Sequence, residues 1–117
     1  MFNIEICYKD TPVLHWCPQT ETFQVWDSQL VPDVIYDHLW AHNSAETNPA
    51  SRVKHNRRVV SNWIASVSNI VADKINSYLS VIPKDPGMLK DLLSCTMQTP
   101  WVIQATNEPA RDNSVNY

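Results

Sequence analysis

Arg52, Lys54, Arg57 and Arg58 crowd four cations into residues 51–58, where no acid accompanies them. Side chains of this type recognise anions. The cluster also falls where a helix is expected to begin, and a helix N-terminus already carries partial positive charge, so each cation there is unfavourable unless something negative lies close. Three sources of that negative charge are open. Asp27, Asp33, Asp37 or Glu46 can fold back on the cluster, an acidic protein partner can be steered to it, or a phosphate of a nucleotide or nucleic acid can bind. The net charge of −3 argues against the last, because domains that bind nucleic acid are typically basic, with pI above about 9.

Two weaker constellations carry other chemistry. His38 and His42 are four residues apart, which places both on one helical face at a spacing that zinc ligands use. No Glu stands between them as in H-E-x-x-H, and His15, Cys17 or His55 would have to complete the set. A metal-dependent enzyme built on this pair ranks third among the functional readings, and neither a metal nor a cofactor is expected. His15 and Cys17 are two apart on an expected strand and so share a face, but no third residue or oxyanion hole accompanies them, and Cys7 and Cys95 are expected as small buried hydrophobes. No catalytic residue is therefore assigned. The single glycine, Gly87, excludes Gly-rich phosphate loops.

Five tryptophans, Trp16, Trp26, Trp40, Trp63 and Trp101, are many for 117 residues. Three or so suit a core, and exposed Trp and Arg are enriched at interface hot spots. Trp40, beside an expected loop and near the basic cluster in sequence, is the expected interface anchor. Partner binding is thus assigned to Trp40, Arg52, Lys54, Arg57 and Arg58.

The element that must position these residues is the run 51–82. Val60, Trp63, Ile64, Val67, Val71, Ile75, Tyr78, Leu79 and Ile82 recur at steps of three and four, which predicts one amphipathic helix. Pro49 and Pro83 bracket it. At about 1.5 Å per residue such a rod would be roughly 48 Å long, more than a compact domain of this size needs. Its other side is rich in Ser and Asn rather than charge, although both are mediocre helix formers. Asn62, Ser66, Asn69 and Asn76 are therefore expected to form an oligomer face, and the protein to self-associate.

Phe2 to Lys9 alternate apolar and polar residues, the period of a half-buried strand. Turn chemistry at Asp10, Thr11 and Pro12 separates it from two further short strands at 13–17 and 20–26. Short links require antiparallel neighbours. Shorter helices are expected at about 30–42 and 87–96, a loop at 43–50, either a last strand of the sheet or an extended segment packed on a helix at 101–105, and a flexible polar tail at 107–117. The fold class expected is a small α+β domain over 1–106, with a three-stranded antiparallel sheet packed on the long helix and two shorter ones.

Residues 1–50 hold seven acids and one base, against the four uncompensated bases of 51–58. Three cysteines without paired spacing fit a reducing cytoplasm, and neither a signal peptide nor an apolar run of about 18 residues is visible, so no membrane role is expected. The leading expectation is a non-enzymatic intracellular protein-binding module, an inhibitor, adaptor or immunity-like factor of microbial or phage type, that masks an acidic partner.

Overall fold

The computed structural model describes residues 3–27, 29–31, 35, 39, 43–107 and 115–116. The N-terminal alternation produces β1 (Asn3–Tyr8), which pairs antiparallel with β2 (Thr11–Cys17), and β2 in turn with β3 (Thr22–Val25). Lys9 and Asp10 make the first link at φ 48° and 66°, a left-handed pair whose twist suits a two-residue hairpin. The turn therefore precedes Thr11 and Pro12, which lie within β2. The register slips between Ile6 and Cys7, where Cys7 faces Pro12 and Ile6 faces Leu14. A bulge is where a strand tolerates a proline that cannot donate to the ladder.

The sheet has five strands where three were expected. β4 (Trp101–Thr106) pairs with β1, and β5 (Val115–Asn116) with β3, in the order β4-β1-β2-β3-β5. Of the two alternatives expected at 101–105, β4 is the strand. β5 seats part of the stretch expected to be a free tail.

Cross-strand register sorts the sheet into two faces. Ile4, Trp16 and Phe23 form one row, and Ile103, Ile6, Leu14 and Val25 the next, all buried. Together with Val60, Trp63, Ile64, Ile75, Leu79, Ile82 and Leu92 they make one core. Trp16 stacks on Phe23 at 5.9 Å between centroids, and Trp63 meets Trp101 edge-on at 5.4 Å. The opposite face carries the row Gln104, Glu5, His15 and Gln24.

The helix expected over 51–82 is broken. α1 (Pro49–Ser66) begins with Asn48 as cap, its side chain accepting from the Ala50 N–H at 2.9 Å, and with Pro49 in the first turn. α2 (Ala72–Val81) follows after an interruption at 67–71. Local chemistry and a competing partner explain the break. Residues 67–71 are Val, Ser, Asn, Ile and Val, none of them a strong helix former. Their backbone finds other bonds: the Gln98 N–H donates to the Val67 carbonyl at 2.9 Å, the Asn69 N–H to the Thr96 carbonyl at 3.0 Å, and Ser68 bridges Met97. Buried Ser68 also accepts from the Ile70 N–H at 3.3 Å, a side-chain turn that replaces a helical bond.

The helix anticipated at 30–42 falls mostly outside the described residues, although Ile35 and buried Leu39 are helical. Residues 43–45 are helical too, which reduces the expected loop to 46–48. Asn43 and Asn56 exchange amide bonds at 2.8 and 3.2 Å and so tie that segment to α1. Near the C-terminus a 3-10 turn (Pro86–Met88) runs into α3 (Leu89–Leu93), shorter than the 87–96 expected, with Asp85 accepting from the Gly87 N–H at 3.2 Å. Among the described residues no helix is long and apolar enough to cross a membrane.

Two stability measurements check this packing. If the Ser68 hydroxyl, which accepts from the Ile70 N–H, helps to end α1, Ser68→Ala destabilises the domain by about 1 kcal/mol in a urea melt, despite the better helix propensity of alanine; a gain in stability would make that bond incidental to the break. Asn56→Leu costs about 2 kcal/mol because it strands the Asn43 amide, and adding Asn43→Leu recovers part of that loss.

Candidate partner-binding groove

α1 distributes its cations to two sides. Arg57 reaches the β2–β3 link, where its Nη1 donates to Glu21 Oε1 at 3.0 Å. Glu21 holds a left-handed backbone at φ 52°, which is uncommon for a residue with a side chain and costs on the order of 1 kcal/mol. Its side chain and that of Arg57 are 32% and 19% exposed, so the pair pins the hairpin to the helix. Arg58 turns the other way and bonds Asp73 of α2 at 2.7 Å, with side chains 49% and 88% exposed. A pair this solvated contributes about 0–1 kcal/mol.

Among the described residues the carboxylates that pair with the cluster are Glu21 and Asp73. Asp27 accepts from the Gln29 N–H and Glu46 from the Asn48 N–H, both of them local backbone caps. Asp33 and Asp37 lie outside the described residues. Lys54 is exposed, and among the described residues neither it nor Arg52 has an ion-pair partner.

Because α2 returns along α1, the two helices enclose a groove of about 400 Å³ lined by Ser51, Lys54, His55, Arg57, Arg58 and, from α2, Asn76 and Ser80. Three of the four predicted cations meet there. Arg52 stands apart, lining a cavity of about 230 Å³ with Glu21, Asn43 and Asn56 beside the β2–β3 link. Asn76 Oδ1 is buried and accepts no hydrogen bond from the described residues.

The residues expected as an oligomer face do not lie on one continuous helix. Asn62 and Ser66 are exposed on α1, Asn69 sits in the break, and Asn76 is half-buried in the groove. Ser61, expected on the same polar side, is fully buried. The break at 67–71 takes these residues off one line. Trp40, His38 and His42 lie outside the described residues. Of the other tryptophans, Trp16 and Trp63 are buried and Trp26 and Trp101 half-buried, so each of these four serves packing.

His15 and Cys17 share a face as their spacing requires, yet Cys17 donates to Gln19 Oε1 at 3.2 Å while the His15 ring lies against Trp26 at 4.4 Å. Cys7 donates to Glu5 Oε1 at 3.1 Å, and Gln104 donates to the same oxygen at 2.8 Å. Glu5 is only 3% exposed. Sequence alternation placed it on a wet face, and only the pairing of β4 with β1 reveals its partner. Among the described residues no three His, Cys, Asp or Glu side chains converge as metal ligands. Burial pushes the Cys95 thiol up, with Asp91 adding to the rise and Lys74 opposing it. Its alkylation by iodoacetamide at pH 7 should therefore be slower than that of a free thiol and should accelerate as pH is raised past 9, a pH series that mass spectrometry can follow. Comparison with known protein families, with curated proteins and with solved structures finds no match to this chain.

Proposed function

We propose that this protein works by binding another protein, as an inhibitor, adaptor or immunity-like factor, and that the groove between α1 and α2 receives an acidic segment of that partner. One observation carries the reading. Lys54, Arg57 and Arg58 line a single groove in a chain whose net charge is −3, so the local field runs against the overall charge. Such a patch steers an oppositely charged surface and fixes its orientation. The ion pair of Arg58 with exposed Asp73 costs little to exchange for a partner's carboxylate.

Titration of the full chain with a fluorescent peptide rich in Glu and Asp tests the reading. Binding should weaken steeply with added salt, and Lys54→Glu/Arg58→Glu should reduce affinity by at least tenfold, in keeping with the several kcal/mol that like-charge juxtaposition costs. No measurable binding, or binding indifferent to charge reversal, would refute it. Tighter binding of an oligonucleotide of equal charge would replace it with the nucleic-acid reading.

A further inference from the structure

Within that reading, on which this inference rests, we propose that the acidic group the groove accepts is a phosphoryl group on a peptide segment of the partner. The argument begins with charge and donors. A phosphorylated side chain carries about −1.5 to −2 charge and three acceptor oxygens near neutral pH, against one charge and two oxygens for a carboxylate. The groove offers the Lys54 ammonium, without an ion-pair partner among the described residues, the Arg58 guanidinium and the Ser51 hydroxyl, with His55 beside them. The Ser80 hydroxyl is turned to the Ser77 carbonyl at 2.9 Å and closes the far wall.

Arg58 is the residue that discriminates. Its partner Asp73 is 88% exposed, so the carboxylate holds it loosely, and a phosphoryl group can take the guanidinium through two parallel bonds. Arg57 stays with Glu21 and contributes field from the wall. Asp73 thus acts as a weak internal competitor for the incoming anion.

Volume and layout point to a peptide segment. About 400 Å³ suits a phosphorylated side chain with a flanking residue, and the basic residues 54–58 occupy little more than one helical turn, not the extended stripe that a nucleic acid backbone follows.

Fluorescence polarisation on the full chain decides the matter, with a degenerate phosphoserine-centred peptide library, its unphosphorylated twin and a single-stranded oligonucleotide as probes. The phosphorylated library should bind at least about tenfold tighter than its twin. Lys54→Met and Arg58→Met should each erase most of that preference. Asp73→Asn should raise affinity by about threefold, because it removes the competitor, a gain that a merely structural role for the pair would not give. Equal binding of the two libraries would overturn the phosphoryl assignment and leave the acidic-partner reading standing; no binding of either would end both. A preference for the oligonucleotide, or weaker binding by Asp73→Asn, would also overturn it.

Discussion

Two backbone hydrogen bonds decide the shape of the helical layer. By donating to Val67 and accepting from Asn69, the segment 96–98 takes polar groups that a continuous helix would have used internally. The exchange is close to neutral in bond count. It succeeds because residues 67–71 have little helix propensity to lose and because the break lets Ile75, Leu79 and Ile82 join the same core as Val60, Trp63 and Ile64. A straight rod of roughly 48 Å would have carried part of that stripe away from the sheet. The groove is a consequence of this economy, since its two walls are the helices that the break folds together.

The sheet makes the complementary contribution. Its inner face is wholly apolar, and its outer face holds a row of polar side chains that bond along the strands and across them. Glu5 is buried at the centre of that row and bonded by Gln104 and Cys7. A buried carboxylate is costly unless bonded, and both bonds fall on Oε1 while Oε2 has no partner among the described residues; the Gln104 bond favours one register of β4 on β1. β1 and β4 are in turn joined to α1 through Trp101, which meets both Tyr8 and Trp63.

Much of this was legible in the residues. Period-two alternation gave β1, short links gave an antiparallel meander, and the recurrence of apolar positions gave the helical stretches on either side of 67–71, though as one helix rather than two. The break at 67–71 was not legible, because the apolar period runs through it unbroken and Val67 and Val71 fit the stripe on paper; in the structure Val71 is exposed. What ends the helix is a tertiary competitor thirty residues downstream, invisible to any local pattern. The same limit explains the charge map. The cluster at 52–58 announced a need for carboxylates, but proximity in the fold, not position in the sequence, chose Glu21 and Asp73, while Asp27 and Glu46 were consumed by their own turns. Asn76 was visible only as a polar helix residue until α2 swung it into the groove.

An acidic chain that places four of its nine Lys and Arg residues on one short stretch of helix keeps a local field of opposite sign, and of the two paired cations only Arg58 is held by a well-solvated carboxylate. Among the described residues the lining of the groove holds no carboxylate. Backbone amide chemical shifts, followed by two-dimensional NMR as an acidic or phosphorylated peptide is added, test this most directly. The account predicts that the largest changes cluster at residues 51–58 and 73–80, with helical shifts interrupted at 67–71 in the free protein. Changes centred on β4 or the β2–β3 link, or an uninterrupted helical signature through 67–71, would contradict it.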